Sequence, residues 1–331
     1  MAEQLSKAVS DRVGGFVFDG DHETLETYLQ RWIDEVLRGT VKQSTLENYT
    51  YIARLHIIPE LGRVRLRALK SRDVRRLYRK KLDAGLSPRT VQIIHTVLRK
   101  ALQQAVRDDV LPRNICDAVT APRQTKKEMQ PLTSEQAKRL LENVHEDRLG
   151  ALYILAVTAG LREGELLGLR WEDVDLERKL LQVRQQLTRT RDGLSFTTPK
   201  RGKARVVRLT DKAIAALEIH REAQNGERAR AGSLLQETDL VFTSTIGTPV
   251  DVGTLTYRSF RPLLKSADLP RIRFHDLRHT CATLLMAKGT HPKIVQKMLG
   301  HANISMTIDT YSHVLPDMQE KAVSAMDDAL S

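Results

Sequence analysis

The chain has 331 residues, enough for two domains at roughly 100–200 residues each. It carries a formal net charge of +12 with 41% hydrophobic residues, so ordinary cores are affordable and the surplus of cations points to a polyanion partner. Cys116 and Cys281 form no CxxC pair and no disulfide framework. The most apolar stretch, 150–160, is too short to span a bilayer, and the first fifteen residues lack the apolar centre of a signal peptide. These features exclude secreted disulfide scaffolds and membrane spans, and the expectation is a cytoplasmic protein.

Residues 1–20 are polar and read as a flexible arm. From Glu23 the period becomes helical, with Leu25, Tyr28, Leu29, Trp32, Ile33 and Val36 on one face. Further helices are predicted over 45–57, 71–84 and 87–108. Pro59 and Gly62 mark a turn, and Ser87-Pro88 is a cap followed by proline at the first helical position. These helices make a domain over 21–111. Pro112, Pro122 and Pro131 punctuate a polar linker over 112–131.

Thr133 with Gln136 then reads as a capping box opening a second domain over 132–314. Helices are predicted at 134–145, 148–159 and 162–169, with Gly160 ending the second. Strands follow at 179–188, 194–198 and 205–209, the first two flanking the turn sequence TRDG. Helices resume at 211–224, 252–266, 275–288, 291–298 and 305–312. A last amphipathic helix over 316–330 carries Leu315, Met318, Ala322, Val323, Met326 and Leu330 on an apolar stripe. The fold class expected is mainly α with a small antiparallel sheet.

Residues 63–81 hold ten Lys or Arg and one acid, Asp73. On a helix, Arg72, Arg75, Arg76, Arg79 and Lys80 form a positive face for which no matching acids at i+4 are read, as phosphate contact requires. In the second domain, Arg162 begins a helix beside Glu163 and Glu165, and a salt bridge to Glu165 is the structural alternative to a functional role. Lys200 lies at a strand end. His275 and Arg278 share a helix face, and His301 follows Gly300 at a turn ten residues before Tyr311. His275 and His279 stand at the spacing of two zinc ligands, but no third ligand is evident.

Two Arg, two His, one Lys and one Tyr suffice to attack a phosphodiester without metal. Guanidiniums bind phosphate bidentately and neutralise its oxygens. Imidazoles donate hydrogen bonds or move protons, an ammonium protonates the leaving oxygen, and a phenol is a nucleophile. No acidic cluster suggests paired magnesium and no phosphate-binding loop suggests a nucleotide, so no metal or cofactor is expected.

In the order G-L-R-x-x-E, strand Lys, H-x-x-R, L-G-H and Tyr before S-H, these motifs resemble the tyrosine recombinases of the phage integrase family over about residues 22–320. The segments 85–106 and 299–314 resemble the integrases of temperate phages and integrative conjugative elements. The resemblance implies a two-domain DNA clamp made of a helical, SAM-like core-binding domain and a catalytic domain. It implies that Arg162, Arg278, His275 and His301 contact the scissile phosphate, that Lys200 is the general acid, and that Tyr311 forms a 3′-phosphotyrosine. Glu165 would orient the site. The implied partners are double-stranded DNA attachment sites, three further copies in a homotetramer, and a directionality factor, in a nucleoid-associated protein. The segment 315–331 would be a helix exchanged between protomers. Such integrases often carry an additional N-terminal arm-binding domain, whereas about twenty residues precede the helices here. Either the start is truncated or this member works on simple core sites. A chromosome-dimer resolvase of the same family, a type IB topoisomerase and a DNA-binding repressor are the alternatives.

Overall fold

A computed structural model describes residues 22–123, 129–145, 147–199 and 204–300, with 303–305, 308, 323–324, 326–328 and 330 beyond them. The chain divides into two compact units, Met1–Lys127 and Glu128–Ser331.

The first unit is helical. Helix α1 (Leu25–Arg31) is capped by Thr24, whose side chain accepts from the Thr27 amide, and runs on through a wider turn over Trp32–Leu37. Helix α2 (Gln43–Ile52) continues through Ala53–Ile57 into α3 (Ile58–Leu61). Pro59, expected to end the helix, instead lies inside this continuous helical run, just after the wider turn over Ala53–Ile57. Helices α4 (Ser71–Asp83) and α5 (Pro88–Arg107) follow, the latter capped by Ser87 as its sequence predicts. The apolar stripe of α1 shares one core with Ile94, Leu98 and Ala101 of α5. There Tyr28 Oη donates to the Ala101 carbonyl at 2.7 Å. Cys116 and Val119, from the stretch read as the start of a linker, are buried in this same core.

The second unit is mixed. Thr133 and Gln136 form the predicted capping box of α6 (Ser134–Asn143). Helix α7 (Gly150–Thr158) is apolar all round and accordingly runs through the core. After α8 (Glu163–Leu167), β1 (Val174–Asp175), β2 (Leu180–Val183) and β5 (Arg205–Arg208) make an antiparallel sheet in the order β1-β2-β5. Strands β3 (Gln186–Thr190) and β4 (Gly193–Thr197) form a separate hairpin.

The single strand expected over 179–188 is thus two, broken at Arg184–Gln185. Leu181 and Val183 point into the core, whereas Gln185 donates to the Gly168 carbonyl at 2.9 Å and turns the chain along α8. Helix α9 (Asp211–Ala231) is two turns longer than predicted. Helix α10 (Val252–Thr254) continues through Leu255–Phe260 into α11 (Arg261–Ser266). Helices α12 (Phe274–Ala287) and α13 (Pro292–Leu299) follow. Ser305 and Ile308, and Val323, Ser324, Met326–Asp328 and Leu330, are helical within the two segments predicted as helices there; the rest of those segments lies outside the described residues. No helix among the described residues is long and apolar enough to cross a membrane.

Candidate active site

Helix α7 cannot continue past Ala159, because Gly160 takes the left-handed conformation at φ +62°. The chain turns, and Arg162 becomes the residue preceding α8. Its amide donates to Glu165 Oε2 at 2.9 Å and its Nη1 to Oε1 at 2.6 Å. The salt bridge weighed against a functional role for Arg162 therefore exists, yet it leaves part of the guanidinium for other work. Its Nη2 reaches the Gly300 carbonyl at 3.3 Å, and the side chain retains 24% of its exposure.

Arg278 lies on α12 and is 2% exposed. Its Nη1 donates to the Gly160 carbonyl at 2.6 Å and its Nη2 to the Leu299 carbonyl at 2.5 Å. Neither acceptor is charged, so these two bonds fix the guanidinium without neutralising it. Gly300, which closes α13 at φ +66°, turns its end so that carbonyls 299 and 300 serve the two arginines. Two glycine turns, remote in sequence, thus form one cradle.

Glu165 is wholly buried. Burial alone would raise its carboxyl pKa, but the guanidiniums of Arg205 and Arg162 outweigh it and hold the value at about 2. Arg205 was not foreseen: it meets Glu165 through Nη1 at 2.9 Å and Nη2 at 2.6 Å. The available signal was the demand of a buried carboxylate for hydrogen-bond donors at both oxygens, which Arg162 alone meets incompletely.

His275, one turn before Arg278, lies on the exposed side of α12. Desolvation, Arg278 and Arg162 together lower its pKa, so its neutral form is favoured and it feels both arginines. The His279 ring stands edge-on to it at 4.9 Å, and partial burial with that neighbour holds His279 at about 4. Among the described residues no third His, Cys, Asp or Glu joins this pair to make a metal site. Lys200, His301 and Tyr311 lie outside the described residues.

In the first unit, Arg72, Arg75, Arg76, Arg79 and Lys80 all lie exposed on α4, opposite its buried Val74, Leu77 and Tyr78. The expectation that no acids match them is corrected. Arg76 pairs with Asp73 at 2.7 Å, Arg79 with Asp83 at 3.9 Å, and Lys80 with Glu60 of α3 at 2.6 Å. Asp83 lies just past the basic run, and Glu60 arrives only through tertiary folding. Only the Arg79–Asp83 pair is exposed on both sides, where such a pair contributes roughly 0–1 kcal/mol, whereas Asp73 and Glu60 are largely buried. Arg72 and Arg75 have no acidic partner among the described residues.

Residues 130–318 match the model of the phage integrase family, and residues 24–82 match the N-terminal SAM-like domain of phage integrases. A tyrosine recombinase XerC-like protein of Caldanaerobacter subterraneus subsp. tengcongensis is 31% identical over 95% of this chain and 85% of its own length. The ICEBs1 integrase of Bacillus subtilis is 30% identical over 87% of this chain and 79% of its own. The solved Tn1549 transposon integrase, in complex with a circular intermediate DNA, superposes with a TM-score of 0.77 over 92% of this chain and 99% of that one. It is 23% identical, a likeness of fold. The chain belongs to the phage integrase family of tyrosine recombinases, enzymes that break and rejoin DNA.

Proposed function

We propose that this protein is the integrase of a mobile genetic element and recombines DNA at specific double-stranded attachment sites through a covalent bond to Tyr311. The observation that carries the reading is the convergence of Arg162 and Arg278 on the successive carbonyls of Gly300 and Leu299, with His275 beside them. Two guanidiniums, one bonded to backbone carbonyls and the other sharing Glu165 with Arg205, are suited to one dianionic transition state, where preorganised charge is most effective. Glu165 orients Arg162.

In the proposed step the Tyr311 phenol gives its proton to the neutral imidazole of His275 as its oxygen attacks the scissile phosphorus, and the bond from phosphorus to the 5′ oxygen breaks. Lys200 supplies the proton to that oxygen, and His301 with His275 hydrogen-bonds the phosphate. Attack by a 5′ hydroxyl on the 3′-phosphotyrosine reverses the step and rejoins DNA without an external energy source. Arg72, Arg75, Arg76, Arg79 and Lys80 hold flanking phosphates.

The protein works as a homotetramer on two DNA sites, with a directionality factor choosing integration or excision. Val323, Met326 and Leu330 support assembly through the C-terminal segment. They fall on one helical face and keep 58%, 60% and 80% of their exposure, as an apolar stripe awaiting a neighbouring protomer would.

The test is recombination between two sites in excess chelator without ATP, with the Tyr311→Phe variant alongside. Exchange by the wild type and none by the variant is expected. Supercoil relaxation without exchange between sites would make the protein a topoisomerase, and DNA binding without cleavage a repressor.

A further inference from the structure

Helix α13 ends on three consecutive carbonyls, each accepting from a different arginine. Met298 accepts from Arg205 Nε at 3.1 Å, Leu299 from Arg278 Nη2 at 2.5 Å, and Gly300 from Arg162 Nη2 at 3.3 Å. The last carbonyls of a helix lack intrahelical donors and carry partial negative charge, so guanidiniums suit them. Two of the three arginines belong to the phosphate-contacting pair proposed above. The third, Arg205, has no role in that chemistry.

Its bonds say what it does instead. Arg205 opens β5, where it pairs with Val183 of β2, so its main chain is fixed by the sheet. Its side chain is 12% exposed and its fork covers both oxygens of Glu165, the carboxylate that also holds Arg162. Three charges therefore share one buried spot: two guanidiniums and one carboxylate, a net charge of +1. Without Arg205 the remaining pair would sum to zero. Arg162 would then be drawn onto both Glu165 oxygens and away from the Gly300 carbonyl.

We propose that Arg205 is a positioning residue for the recombination reaction: it neutralises Glu165 and braces the end of α13, leaving the charge of Arg162 for the scissile phosphate. The inference rests on the recombinase reading of the site and adds to it a third arginine that never touches DNA.

The experiment compares wild type, Arg205→Met and Arg205→Lys as full-length proteins. It measures DNA affinity and the rate of covalent adduct formation on two substrates. One carries the ordinary scissile phosphate. The other carries a methylphosphonate, in which a methyl group replaces one non-bridging oxygen and removes the charge that Arg162 would neutralise. Arg205→Met should bind DNA within about threefold of wild type but cleave ordinary DNA about 100-fold more slowly, the effect expected of a misaimed group. On the methylphosphonate that deficit should shrink to less than tenfold. Arg205→Lys restores the charge without the fork and should fall between Arg205→Met and wild type. A merely structural role would slow both substrates equally, and that result overturns the proposal, as does normal cleavage of ordinary DNA by Arg205→Met. Should Arg205→Met fail to fold, the same two-substrate comparison on Arg205→Lys decides, a deficit confined to the charged substrate supporting the proposal and any other pattern refuting it. Absence of any adduct with wild type would instead overturn the recombinase reading itself.

Discussion

Glu165→Gln removes one charge from the most buried ionic cluster among the described residues. The residue is 1% exposed, and its carboxyl pKa stands at about 2 against a usual 4.5. At 1.36 kcal/mol for each pH unit, that difference is worth about 3 kcal/mol of folding stability. The figure agrees with the roughly 3–5 kcal/mol lost when one partner of a buried ion pair is removed. Because the folded value is depressed, the contribution is complete above the unfolded pKa and disappears as the pH falls toward the folded one. Urea unfolding followed through Trp171, which lies in the second unit, measures it. The variant should be about 3 kcal/mol less stable than wild type at pH 7, and linkage narrows that gap by about 1 kcal/mol at pH 4. A gap under 1 kcal/mol at neutral pH, or one that does not narrow in acid, would refute the account of how Arg205 and Arg162 share this carboxylate.

Gly300→Ala should cost about 1–2 kcal/mol from the left-handed backbone alone, and its Cβ would lie 3.0 Å from Arg205 Cδ. Cleavage should fall with it while DNA affinity holds; an active, fully stable variant, read by thermal unfolding and adduct yield, would contradict the cradle. Lys200→Ala should cleave ordinary DNA very slowly yet recover on a substrate with sulfur at the bridging 5′ position, which leaves without a proton. An equal defect on both substrates would move the general acid elsewhere, Lys203 being next. Truncation after Leu315 should preserve one-site binding on native gels and abolish synapsis of two sites; normal recombination by the truncated protein would end the docking role given to Val323, Met326 and Leu330.

Much of the fold is legible because its signals are local. The caps at Ser87 and Thr133, the stripe of α1 and the glycine stop after α7 depend on residues a few positions apart. Features set by tertiary packing are not legible in this way. The break between β2 and β3 comes from Gln185 reaching the carbonyl of Gly168, seventeen residues away. Pro59 looks like a stop, yet the helical run continues through it, its ladder having widened over Ala53–Ile57 just before the residue that lacks a donor. At the site, the motif order singles out Arg162, Glu165, His275 and Arg278, which the fold brings together. Arg205 hides in a basic stretch because its partner stands forty positions earlier. Glu60 similarly escaped the reading of the α4 face, twenty positions from Lys80.

The covalent bond to Tyr311 is the central claim, and one measurement addresses it directly. The protein is incubated with nicked attachment-site DNA, from which the strand beyond the cleavage point diffuses away and prevents rejoining. The trapped adduct is digested with protease and nuclease, and the nucleotide-bearing peptide is sequenced by mass spectrometry. The account predicts one modified residue, Tyr311, linked to a 3′ phosphate, with no adduct from Tyr311→Phe. A nucleotide on another side chain, a 5′ linkage, or an undiminished adduct from that variant would contradict it.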